Sequence, residues 1–206
     1  GELIADEYRR PGYSPSEIHK IIYSLDSRLV ITPNIDKIYE HYASAESHST
    51  VVVKSYLDED LAKFLRTKDY LIIRAHGHVD DPSKIIFTHK QYSAARNKYS
   101  TFYKLLDALI LTHTFIFLGC GINDPDIQLT LENQNFLYPG CRPHYFIIPM
   151  DSHPIEFMNV LANNRNIKFL PYDPIDENHT GLYSILKQLN EEVERERMDI
   201  AADQTW

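Results

Sequence analysis

Four short segments, each following an apolar run, carry the side chains of this sequence best suited to chemistry. Thr32-Pro33-Asn34-Ile35-Asp36 follows Val30-Ile31, and Ala75-His76-Gly77-His78 follows Leu71-Ile72-Ile73-Arg74. Gly119-Cys120-Gly121-Ile122-Asn123-Asp124 follows Phe117-Leu118, and Pro171-Tyr172-Asp173 follows Leu170. Open parallel sheets bind ligands beyond the carboxyl ends of their strands. Four successive strand ends therefore bring an amide, a carboxylate, an imidazole, flexible glycine backbone and an aromatic ring toward one edge. An imidazole titrates near neutrality and can serve as a general base. Tyr172, at a strand end, could stack on a base.

Each residue taken alone also has a plainer reading. Asn34 and Asp36 suit a polar turn or a helix cap after a strand. His76 before glycine suits a turn histidine bonded to backbone. Gly119-x-Gly121 is a common strand-to-helix turn and a poor nucleotide marker by itself. Cys120 reads as a small buried residue rather than a reactive thiol. His76, His78, His89 and His113 raise a metal hypothesis, but their spacing offers no helical H-x-x-x-H pair and no acidic cluster completes a site. No metal is expected.

The elements that must position these groups are legible as alternation. Leu29–Thr32, Val51–Lys54, Tyr70–Ile73, Phe115–Leu118, Tyr145–Ile148 and Ile167–Leu170 are short, β-branched and almost wholly apolar, as parallel strands covered on both faces are. Between them lie helical patterns. Ser16–Leu25 places Ile18, Ile21, Ile22 and Leu25 on one stripe, and Asp58 can cap a helix reaching about Lys68. Tyr92–Thr112 reads as one long helix or a broken pair, with Tyr99, Phe102, Leu105, Leu106 and Leu109 inward. Asp124-Pro125 is an N-cap followed by proline at the first helical position. Pro154 can open a helix through Leu161, and Thr180 can cap the last one. Alternating strands and helices imply an α/β fold with a mostly parallel sheet.

Bulk properties narrow the class. The 206 residues suit one domain or one domain with an appendage, and 43% hydrophobic with 24% charged residues is ordinary for a globular protein. No apolar run is long enough to span a membrane, and neither a basic n-region nor an apolar h-region opens the chain. A net charge of −8 argues against a nucleic-acid-binding surface, which needs clustered positive charge. Glu191–Arg197 alternates in sign and reads as the solvated end of a terminal helix. Cys120 and Cys141, the two cysteines, form no C-x-x-C pair, and a reducing, cytoplasmic setting is expected.

Taken in order, the four segments resemble those of the sirtuins. Thr32-Pro33-Asn34-Ile35-Asp36 is similar to the sirtuin Thr-x-Asn-x-Asp signature, and His76-Gly77 resembles the catalytic His-Gly. Leu118–Asp126 resembles the glycine-containing loop followed by Asp-Pro in bacterial sirtuin-like domains. Ile167–Leu186 resembles their closing unit, a strand, Pro-Tyr-Asp and a histidine before the last helix. The resemblance implies a Rossmann-like three-layer fold over residues 16–190, with a lead-in at 1–15 and a charged helix end and tail at 191–206.

It also implies roles. Asn34 would orient ribose hydroxyls or an attacking water, Asp36 would hold the nicotinamide carboxamide or the strained glycosidic bond, and His76 would be the general base. Thr32, Gly119, Cys120, Gly121, Asn123, Asp124 and Tyr172 would contact the dinucleotide, with Asp124 capping the next helix. Nicotinamide is already a cationic leaving group, so positioning and electrostatics would carry the reaction. The substrate implied is NAD, with ADP-ribose a further ligand.

Two absences refine this. Sirtuin deacetylases carry a four-cysteine zinc module between His-Gly and the later glycine loop, whereas Gly77–Leu118 contains no cysteine. Without that small domain the resemblance points to NAD hydrolysis of the bacterial anti-phage kind. NAD-dependent deacylation, or a non-catalytic nucleotide-sensing or scaffold role, are the alternatives. Nothing before Thr32 matches the family's N-terminal Gly-Ala-Gly-type loop, so the domain is expected to lack its first βα portion. Exposed sheet edges would then favour a homo-oligomer or a partner protein of a defence complex.

Overall fold

The computed structural model describes residues 13–203, which fall into two compact units. The first comprises residues 13–87 and 183–203, the second residues 88–182. Residues 1–12 of the expected lead-in and 204–206 of the expected tail lie outside the described residues. Both units are α/β with wholly parallel pairing, as the alternating pattern predicts, and the strands are shared between two three-stranded sheets.

In the first unit, α1 (Glu17–Ser24) leads to β1 (Leu29–Thr32), α2 (Ile38–Glu46) to β2 (Val52–Ser55), and α3 (Leu61–Phe64) to β3 (Leu71–Arg74). The strand order is β1-β3-β2, with Thr32 and Ser55 both opposite Arg74. Leu71, Ile72 and Ile73 of the central strand have no exposed surface. Burying each contributes roughly 1.5–3 kcal/mol and holds the register that carries the strand ends.

Two local expectations change here. Asp58 does not cap a helix to Lys68, because its carboxylate closes a turn on the Ser55 amide at 2.6 Å and the Ser55 hydroxyl at 2.7 Å. Only Leu61–Phe64 is helical. Helix α2 has no strong apolar stripe to announce it. Its start is fixed by Asp36, whose Oδ1 accepts the Ile38 amide at 3.0 Å.

The second unit contains α4 (His89–Lys98), α5 (Ser100–Thr112), β4 (Ile116–Leu118), α6 (Pro125–Leu137), β5 (His144–Pro149), α7 (Ile155–Arg165) and β6 (Ile167–Tyr172). Tyr92–Thr112 is thus a broken pair, interrupted at Tyr99. Its inner face uses Tyr103 and Ile110 with Phe102 and Leu109, whereas Leu105 is only half-buried. The sheet order is β4-β5-β6. Its core joins Phe117, Ile122, Leu131, Phe146, Ile148 and Leu161, with the Phe117 and Phe146 rings stacked at 5.0 Å.

The last helix, α8 (Thr180–Asp203), begins in the second unit and continues into the first. Near its end Arg197 donates to the Leu25 carbonyl at 2.7 Å, securing the C-terminus of α1. Gly181 is sterically required, since a Cβ there would sit 1.7 Å from the Asp173 carbonyl oxygen.

Candidate active site

The parallel register of β1 and β3 ends two neighbouring strands level with each other, Thr32 opposite Arg74. The first three expected residues and His76 therefore leave adjacent carboxyl ends. The bonding continues beyond the strands: the Ala75 amide donates to the Thr32 carbonyl at 2.9 Å and the Val79 amide to the Ile35 carbonyl at 3.0 Å. Asn34 is exposed, and its amide donates to the Thr32 hydroxyl at 3.1 Å. Thr32 thus shapes the turn that presents Asn34. Ile35 points the other way, into a small cluster with Val79 and Ile85.

Asp36 is half-buried and closes a polar turn on the Ile38 amide just before the N-cap Lys37, leaving Oδ2 outside that bond. His76 is buried at 4% exposed, and its carbonyl accepts the Ile86 amide at 3.0 Å. Gly77 allows the chain to turn away tightly. Its φ is +85°, and a Cβ would approach the Lys84 carbonyl oxygen to 2.7 Å. A glycine directly after His76 is therefore a local steric requirement.

Sequence reasoning did not single out the charged residues around these segments. Arg74, the last residue of β3, donates through Nε to Glu40 of α2 at 2.5 Å. Lys37 lies 3.8 Å from the other Glu40 oxygen and 2.6 Å from Asp80. A carboxylate four residues after Asp36 was visible in the sequence, but nothing there named its partner.

The remaining expected residues belong to the second unit. Gly119 has φ +64° and, like Gly121, nothing within 4 Å of a Cβ position, so backbone faces open space at both. Asn123 is exposed. Asp124 caps α6 through Oδ1, accepting the Asp126 and Ile127 amides at 3.0 and 3.1 Å. Burial, reinforced by the nearby Asp124 charge, pushes the Cys120 thiol up to about 11, so it stays protonated near neutrality.

Behind this loop, buried Arg165 donates to the Ile122 carbonyl at 2.6 Å and to Glu132 at 3.1 Å. Arg96 donates to Asp126 at 2.9 Å, and the Tyr103 hydroxyl to the other Asp126 oxygen at 3.1 Å. These supports were not legible, because a lone arginine at a helix end gives no sign of being buried. Tyr172 is only 5% exposed, with its hydroxyl 2.8 Å from His179 Nδ1. Asn34, Asp36 and His76 are brought together at one sheet edge; Gly119–Asp124 lies at the end of β4, and Tyr172 ends β6.

Residues 28–170 match the SIR2-like domain family, and the chain belongs to that family. Among its relatives, an NAD(+) hydrolase ThsA of Enterococcus faecium is 31% identical over 135 residues, covering 65% of this chain and 28% of the relative. NAD(+) hydrolase ThsA of Bacillus cereus (strain MSX-D12) is 26% identical over 148 residues, covering 71% and 30%. Defense-associated sirtuin 2 of Bacillus subtilis is 25% identical over 142 residues, covering 68% and 14%. The chain spans under a third of the length of these relatives.

Proposed function

We propose that this chain carries an NAD-hydrolysing site that releases nicotinamide and ADP-ribose, and that it serves as an effector module of a prokaryotic anti-phage defence system. The observation that carries the reading is the level ending of β1 and β3, from which Asn34 and Asp36 leave one strand and His76 the next. The names of the similar proteins, NAD(+) hydrolase and defence-associated sirtuin, support it.

In this reading Asn34, the exposed member, orients the nicotinamide ribose or the attacking water. Asp36 keeps one oxygen on the α2 amide and offers the other, with its charge, to the nicotinamide side of the glycosidic bond. His76 accepts a proton from a ribose hydroxyl or from water. Its buried position removes competing solvent and strengthens the local electrostatics. Thr32, whose hydroxyl holds the turn that presents Asn34, contributes to dinucleotide recognition at this edge. Residues 16–190 form the functional domain in this account, and it acts in the cytoplasm. Outer strands β1, β2, β4 and β6 favour association with a second copy or a partner chain. No described helix is long and apolar enough to cross a membrane.

Product analysis after incubation with NAD separates the readings. Hydrolysis predicts free nicotinamide and ADP-ribose in equal amounts without any acylated peptide. Formation of O-acetyl-ADP-ribose only when an acetylated peptide is present would replace it with deacylation. Calorimetric binding of ADP-ribose with no cleavage would replace it with a sensing role.

A further inference from the structure

We propose that Glu40 and Arg74 form a positioning pair that fixes His76 relative to Asn34 and Asp36. The proposal rests on the NAD-hydrolase reading for its activity arm. Glu40 is 7% exposed, and the Arg74 side chain is 12% exposed. Arg74 places Nε 2.5 Å from Glu40 Oε2, and its terminal nitrogen meets the same oxygen. Such a pair is costly to desolvate, and removing one partner leaves a buried charge without compensation. Its position gives it a use beyond stability.

Glu40 lies in the first turn of α2, four residues after Asp36, whose carboxylate accepts the amide that opens the helix. Arg74 ends β3 two residues before His76, and its carbonyl accepts the Tyr56 amide at 3.0 Å. The pair therefore ties the helix start set by Asp36 to the strand end that delivers His76.

The chain of alternating charge continues on the other side of the histidine. Lys37, directly after Asp36, lies 3.8 Å from Glu40 and 2.6 Å from Asp80. His78 approaches Asp80 at 3.7 Å. Arg74, before His76, and Asp80, after it, are thus tied to Glu40 and Lys37 of the segment that follows Asp36. Asp80 is 53% exposed along its side chain, so solvent screens that outer link, and the buried inner pair dominates.

The test compares Glu40→Gln, which keeps shape and removes charge, with Glu17→Gln on exposed α1 as a control, in the intact chain. Glu40→Gln should lower kcat for nicotinamide release about tenfold per folded molecule, with KM for NAD changed less than about threefold. The charge exchange Glu40→Arg with Arg74→Glu should recover a large part of that loss. If Glu40→Gln does not fold, Arg74→Lys keeps the charge but loses the planar fork and should lower kcat about threefold.

NMR supplies an arm independent of turnover. The His76 ring and Asp36 resonances should shift in Glu40→Gln, or in Arg74→Lys if that variant is used, and remain in place in Glu17→Gln. A wild-type chain that leaves NAD intact would defeat the hydrolase reading, while these shifts would still decide the positioning claim. Unchanged kcat per folded molecule, or unmoved His76 and Asp36 resonances, would overturn the proposal.

Discussion

Asp36 holds a structural bond beside the chemical role proposed for it, and ordinary substitutions confuse the two. Its carboxylate accepts the amide of Ile38, the first residue of α2, so Asp36→Ala removes a hydrogen bond at the helix start, a loss of about 1 kcal/mol, together with any chemistry. Asp36→Asn keeps an oxygen for the Ile38 amide and removes the charge. It should unfold in urea close to the wild-type midpoint yet hydrolyse NAD at least about tenfold more slowly; parallel loss of both would assign Asp36 to structure alone.

His144 offers a prediction with no catalytic content. Burial lowers its pKa below the ordinary value, and its Nδ1 accepts the Phe115 amide at 3.0 Å, a bond that needs the unprotonated nitrogen. The neutral form is therefore favoured in the folded chain, and its contribution is fully present above the unfolded pKa of about 6.5. That contribution declines as pH falls through this value toward the lower folded one. Thermal melts between pH 7.5 and about 5 should show the decline, and His144→Gln, which cannot titrate, should flatten it.

Elements explain why some of this was legible in the sequence and some was not. The six strands stood out because each holds a short run of apolar and β-branched residues, even in β1 and β2 where these are only half-buried, and the Asp124-Pro125 helix start because capping is a short-range rule. Replacing Asp124 with alanine should weaken the second unit by about 1 kcal/mol in denaturant melts. Helix α2 gave no signal because its N-cap, Lys37, makes no side-chain cap bond and its apolar pattern is weak. Asp58 misled because a competing local bond to Ser55 took its carboxylate. Glu40–Arg74 and Arg165–Ile122 join residues 34 and 43 positions apart, and no local pattern announces such pairs. The candidate trio was legible through the family likeness, its supports only through the fold. Gly181 belongs with the supports: Gly181→Ala should disrupt the β6–α8 turn severely, visible as loss of the cooperative thermal transition, since the clash is with backbone.

For the whole molecule, the net charge of −8 argues against a broad basic face, and no described helix is long and apolar enough to cross a membrane. The outer strands of both sheets lead us to expect more than one chain per particle, which light scattering measures directly; a monomer at every accessible concentration would remove that element of the account. The central claim is chemical and is tested by the initial rate of nicotinamide release from NAD by the intact chain, beside Asn34→Ala and His76→Ala. The account predicts release by the wild type and a fall of about a hundredfold or more in each variant, with folding retained. Equal rates in all three, or none in the wild type, would contradict it.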